Sequence, residues 1–192
     1  MDYIKILTLN YSDEEKINAL KEIYKLEVDE IIPFLDVVYE LLESTKERSF
    51  QELISDNLYS SERNREIIIL CINIIEKVGK NYGDVVSPYI PYLIKLLDSD
   101  FKEIREKAAE ALGNIDSKVA IYAYPKIIKN LDNEIYAKTL AKLILKADNK
   151  YTILLNLFEN FNNYAIITIN ELKKYNPKLI YEFVPLIKRV EK

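Results

Sequence analysis

Along most of the chain apolar residues recur at spacings of three and four, the period of helices that each bury one face. The clearest stretch is Asp98-Ser99-Asp100-Phe101-Lys102-Glu103-Ile104-Arg105-Glu106-Lys107-Ala108-Ala109-Glu110-Ala111-Leu112-Gly113-Asn114-Ile115. Its apolar stripe is Ala108, Ala109, Leu112 and Ile115, and Asp100 with Glu103 has the spacing of a capping box that starts the helix. The small Ala108 and Ala109 predict close approach by a neighbouring helix. The same stripe returns at Ala19/Leu20/Ile23/Leu26, Ile68/Ile69/Ile72/Ile75, Thr139/Leu140/Leu143 and Thr168/Ile169/Leu172/Tyr175. The position of Arg105 is taken by Lys16, Arg65, Tyr136 and Ala165. These frames start at 16, 65, 105, 136 and 165, intervals in the range of helical solenoids.

A second phrase supplies each partner helix: Ile32-Pro33-Phe34-Leu35, Ile90-Pro91-Tyr92-Leu93, Tyr124-Pro125-Lys126-Ile127 and Val184-Pro185-Leu186-Ile187. Proline is tolerated in a first helical turn, where its missing N–H would have had no intrahelical acceptor. The fourth partner helix, around Thr152 to Phe158, keeps the stripe without the proline. The reading is one all-α domain over 1–192, with repeats near 13–58, 61–98, 100–131, 133–160 and 162–191. Ser49 to Asn57 adds a third short helix to the first repeat, and residues 3 to 9 form a leftover helix capping the first pair. Capped ends predict a monomer or a weak dimer.

The Asp-Ser-Asp-x-x-x-Ile-Arg-x-x-Ala-Ala-x-x-Leu-x-x-Ile run at 98–115, followed by a proline-led helix, resembles a HEAT repeat. The shorter C-terminal spacings resemble the HEAT variant of about thirty residues also found in bilin lyases, and the first repeat is armadillo-like. The resemblance implies an all-α, right-handed α-α superhelix of about five HEAT-like helix pairs, with second helices lining the concave side. It implies scaffolding or partner binding far more often than catalysis.

Composition narrows the chemistry. Three glycines, at 79, 83 and 113, leave too few positive-φ positions for hairpins or a phosphate-cradling loop. There is no histidine, which excludes catalytic triads, histidine acid–base catalysis and nearly all zinc sites. It also excludes the His-Glu pairs of the HEAT-like hydroxylases. With no tryptophan and no basic groove run, the chain lacks what the repeat-built DNA glycosylases use. Cys71 lies among Ile67-Ile68-Ile69-Leu70 and Ile72, as a buried structural thiol would. A single cysteine forms no intramolecular disulfide, which suits a reducing cytoplasm. The carboxylates at Asp13-Glu14-Glu15, Asp29-Glu30 and Asp98/Asp100/Glu103 stand at helix starts, where they complement the helix dipole. No metal or other cofactor is expected.

The apolar run from Ile67 to Ile75 is broken by Asn73 and is far shorter than the roughly 20 residues of a membrane span. The start, Met1-Asp2-Tyr3-Ile4-Lys5, has no basic region followed by a long apolar core, so no signal peptide is expected. The net charge of −4 is uneven: residues 1–60 carry 6 Lys/Arg against 14 Asp/Glu, and residues 61–192 carry 21 against 17. Neither half has a polybasic run, which argues against strong binding to nucleic acid. Most of the fifteen tyrosines, Tyr24, Tyr39 and Tyr175 among them, fall on helical stripes as wedges between repeats.

Positions one and four after each proline are predicted to project from the concave face: Phe34/Val37, Tyr92/Lys95, Lys126/Lys129 and Leu186/Arg189. The candidate site is therefore Tyr92 as an anchor, surrounded by Lys95, Lys126, Lys129 and Arg189, for an acidic or amphipathic protein segment. A weak nucleic-acid-binding module on the basic C-terminal half is the alternative, set apart by a log-linear loss of affinity with salt.

Overall fold

The computed structural model describes residues 2–52, 58–159 and 163–181. In chain order these form α1 (Tyr3–Thr8), α2 (Asp13–Lys25), α3 (Val28–Ile31), α4 (Leu35–Glu52), α5 (Leu58–Gly79), α6 (Gly83–Val86) and α7 (Ile90–Leu96). They continue with α8 (Lys102–Asn114), α9 (Tyr124–Lys129), α10 (Glu134–Lys146), α11 (Lys150–Glu159), α12 (Asn163–Tyr175) and α13 (Pro177–Tyr181). Short 3-10 turns, Ile32–Phe34, Ser87–Tyr89 and Lys118–Ala123, lead into α4, α7 and α9.

The first helices stack consecutively, α2 on α5, α5 on α8, α8 on α10 and α10 on α12. Each second helix lies against this stack: α4 on α5, α7 on α8, α9 and α11 on α10, α13 on α12. This is the all-α solenoid that the sequence predicts. As expected, α1 covers the first pair, packing on α2 and α4. Pro33, Pro91 and Pro125 all sit in first turns. Pro185 and the end of the fifth repeat lie outside the described residues, as does most of the expected short helix between Ser49 and Asn57.

Burial explains the stack. Ala108, Ala109, Leu112 and Ile115 are fully buried, as are Leu20, Ile23, Ile72, Ile75, Leu140 and Leu143. Each such leucine or isoleucine contributes about 1.5–3 kcal/mol. Gly113, outside the predicted pair Ala108 and Ala109, marks a close approach: a Cβ on it would lie 3.3 Å from the Thr139 Cα, so α8 and α10 pack tightly there. Thr139 adds a hydrogen bond across this seam and Thr168 one across the next, between α12 and α10, their hydroxyls donating to the Ala109 and Ala137 carbonyls at 3.0 and 3.2 Å.

Three local expectations need correction. Asp100 does not start α8; Phe101 occupies the N-cap position without a side-chain cap. Arg105 folds the preceding turn instead, donating to the Ser99 and Asp100 carbonyls at 2.7 and 3.0 Å. The capping box is found at α2, where Ser12 and Glu15 satisfy each other's backbone. Ile69 is only half-buried, because α5 meets α2, α4 and α8 through Ile67, Cys71, Ile74 and Val78 as well. Tyr175 and Tyr24 are exposed rather than wedged.

Candidate functional site

On the second-helix side α4 and α7 are joined by tyrosines. The ring of Tyr39 lies 5.0 Å from that of Tyr89 and 5.7 Å from that of Tyr92. Tyr89 donates to Asp36 Oδ1 at 2.6 Å, and Tyr39 donates to Glu43 Oε1 at 2.9 Å. Burial, reinforced by the Asp36 carboxylate, pushes the Tyr89 phenol above its ordinary range. Tyr39 is thus the wedge that the stripes predict.

Each candidate residue can now be placed. Tyr92 keeps only 7% of its surface exposed, so most of its ring belongs to this cluster and only its rim remains for a partner. Lys95 is exposed, with its Nζ 5.5 Å from the centre of the Tyr92 ring, a cation–π contact that holds the charge over the helix. Lys126 is half-buried and bridges two repeats, donating to Asp98 Oδ2 at 2.5 Å and to the Ile94 carbonyl at 3.2 Å near the end of α7. Lys129 is exposed one turn further on. Arg189 lies outside the described residues.

The sequence frame missed the acidic neighbour of this patch. Asp36, Glu40 and Glu43 are exposed on α4, and the Tyr39–Tyr92 contact puts this acidic row beside α7. The excess of carboxylates in residues 1–60 was its signal. The charge asymmetry of the chain becomes a charge boundary on one face.

The first-helix side has a buried group of charges that converges from several repeats. Glu76, 5% exposed, accepts from Asn114 Nδ2 at 2.7 Å and pairs with Lys80 at 2.9 Å and Lys107 at 3.1 Å. Lys142 donates to Asn114 Oδ1 at 2.6 Å, and Lys107 also meets Glu110 at 2.9 Å. Burial pushes the Glu76 carboxyl up, but the bonds from Lys80, Asn114 and Lys107 together outweigh it and hold it below the usual carboxylate range. Every polar atom here has a partner, so the cluster joins α5, α8 and α10 rather than awaiting a substrate.

Lys146, where the stripe leads one to expect an apolar residue, has a similar structural part. Its Nζ donates to the Gly113 and Ile115 carbonyls at the end of α8, and burial lowers its pKa to about 8. Lys77 does the same for α2, donating to the Tyr24 and Leu26 carbonyls at 2.7 and 2.8 Å. Cys71 is fully buried, and burial pushes its thiol far above the reactive range. Among the described residues no group of three or more His, Cys, Asp or Glu could hold a metal ion, and no helix is long and apolar enough to cross a membrane.

Comparison with known proteins agrees with the architecture. A family profile described as a HEAT-like repeat matches residues 62–115, the second first helix through the third. The uncharacterized protein MJ0078 of Methanocaldococcus jannaschii is 60% identical over 188 residues, covering 97% of this chain and 91% of that one. No solved structure matches. With the helix pairs, the proline-led second helices and the Arg105 turn all in place, the chain belongs to the HEAT-like repeat proteins, in one family with MJ0078.

Proposed function

We propose that the protein is a non-enzymatic scaffold that holds a segment of another protein against its second-helix face, within a reducing cytoplasm. The observation that carries this reading is the pair of exposed lysines, Lys95 and Lys129, on α7 and α9 beside the exposed Asp36, Glu40 and Glu43 of α4. Charges on the first-helix seams are bonded to one another, whereas Lys95, Lys129 and Glu40 face solvent, and Asp36 and Glu43 stay exposed although each accepts a tyrosine hydroxyl. Such a boundary favours a segment with acidic residues over α7 and α9, and the Tyr92 rim and Lys126 add to the contact. Arg189, after the proline phrase of the fifth repeat, extends the basic row in the sequence frame.

The test is affinity capture on the wild-type chain and on a Lys95→Glu/Lys129→Glu variant, followed by titration of any protein recovered. Lys126 is left intact because it braces α7. The expected result is a partner whose affinity falls tenfold or more in the variant at low salt. Equal recovery and equal affinity would refute the proposal.

A further inference from the structure

The turns between first and second helices form one continuous edge. Lys77 reaches back to the Tyr24 and Leu26 carbonyls of the first turn. The Asp116 N–H donates to the Gly79 carbonyl at 2.8 Å, and the Ser87 and Ser117 hydroxyls are hydrogen-bonded at 2.9 Å, which ties the second turn to the third. Lys146 and the Lys118–Asp148 pair, at 3.1 Å, tie the third to the fourth. The fifth turn follows because α12 stacks on α10.

Along this edge each of the last three repeats presents a tyrosine with a lysine close by in sequence: Tyr122 with Lys118 in the 3-10 turn before α9, Tyr151 with Lys150 in the first turn of α11, and Tyr181 with Lys178 in α13. The three tyrosines are 73%, 51% and 72% exposed, far more than a tyrosine that serves the core. Successive stacked helices lie about 8–10 Å apart, which sets the rise from one repeat to the next along this edge. Lys118, Lys150 and Lys178 outnumber the exposed Asp116 and Asp148 here, so charge drawn from separate turns leaves this part of the edge mildly basic in a chain without a polybasic run. The first two turns differ, with Glu27, Asp29, Glu30 and Asp84 in the majority.

The chemistry separates the possible occupants. Neither of two grooves among the described residues, of about 420 and 460 Å³, lies on this edge: one is between α1, α2 and α4 and the other beside Arg65 and Glu103. An open tyrosine ring offers a base a face to stack on without sequence preference. Helical-repeat proteins can hold one base per repeat. Asp148 is no obstacle, since its bond to Lys118 is an exposed ion pair of small worth that a phosphate can replace.

We propose that this edge binds single-stranded nucleic acid, with bases stacked on Tyr122, Tyr151 and Tyr181 and phosphates met by Lys118, Lys150 and Lys178. It is a different surface from the second-helix face and does not depend on it. The experiment is fluorescence anisotropy of labelled twelve-nucleotide oligouridine and oligothymidine, which separate RNA from DNA, with the matching duplex and poly-glutamate as controls, from 25 to 200 mM KCl. Binding to either single strand is expected. It weakens about tenfold or more in Tyr122→Ala/Tyr151→Ala/Tyr181→Ala and is retained in the three Tyr→Phe changes. Lys118→Gln/Lys150→Gln/Lys178→Gln is expected to reduce the slope of log affinity against log salt by about 2, while the alanine variant leaves the slope unchanged. No binding to either strand, equal binding to duplex or poly-glutamate, or affinity indifferent to the alanine changes would overturn the proposal. Lys95→Glu/Lys129→Glu should leave this binding intact, so the two surfaces are tested separately.

Discussion

The two sides of the solenoid treat charge in opposite ways. On the first-helix side, Glu76, Lys107, Asn114 and Lys142 are bonded to one another across three repeats, and Lys77 and Lys146 are bonded to the ends of neighbouring helices. On the second-helix side Asp36 and Lys126 are also bonded across repeats, but Lys95, Lys129 and Glu40 stand in solvent. Charges bonded across repeats fix how one helix pair sits on the next. Those left exposed cost the fold little and remain available to a partner. Changes at the seams between repeats should therefore unfold the protein, and changes on the second-helix side should leave it folded and alter what it binds.

The largest effect is expected at Gly83, where an added Cβ would fall 1.7 Å from the Asp116 carbonyl oxygen. The second and third turns would have to separate, so Gly83→Ala should cost about 3 kcal/mol or more in urea denaturation. A near-neutral result would mean that the seam gives way easily. Next comes Glu76→Ala, which strands Lys107 and Asn114 and should cost about 2–4 kcal/mol.

The same carboxylate leaves a signature in pH. Its folded pKa is held below the ordinary value of 4.5, so as pH falls the unfolded chain takes up the proton first. The stability that it confers is complete above that value and is lost as pH falls through the folded pKa. Wild-type and Glu76→Gln stabilities, measured from pH 6 down to pH 3, should therefore converge on acidification. Parallel curves would show that the network does not hold the carboxylate ionised.

A smaller loss, about 1 kcal/mol, is expected for Thr139→Val, which removes the hydroxyl's bond to the Ala109 carbonyl with little change in shape. Last in order is Lys95→Glu/Lys129→Glu, expected within about 0.5 kcal/mol of wild type because both side chains are exposed. A loss as large as that at Glu76 would erase the distinction between the two sides.

The sequence carried the architecture because each stripe is local: Ala108, Ala109, Leu112 and Ile115 mark one helix face whatever lies opposite. The partners opposite were not legible. Glu76 and Asn114 are 38 residues apart and meet only when α5 and α8 stack. In the proline frame Tyr92 falls one position off the buried stripe, where a surface anchor is predicted. Its ring turns inward because Tyr39, from another repeat, makes an aromatic wall for it. Asp100 matched a capping spacing, but Arg105 took the turn carbonyls and Phe101 the cap position, with the Phe101 ring under Arg65 at 5.0 Å. Arg65, at the position matching Arg105, also pairs with Glu103 at 3.2 Å, so one motif position serves two different joints.

The most direct test of the central claim is site-specific photo-crosslinking in native lysate. The photoreactive residue would be placed in turn at Lys95 and Lys129 on the second-helix side and at Lys102 and Lys138 on the first-helix side. Crosslinks to one and the same protein from Lys95 and Lys129, and none to it from Lys102 and Lys138, are the predicted result. Crosslinks confined to the first-helix positions, or equal from both sides, would contradict the account.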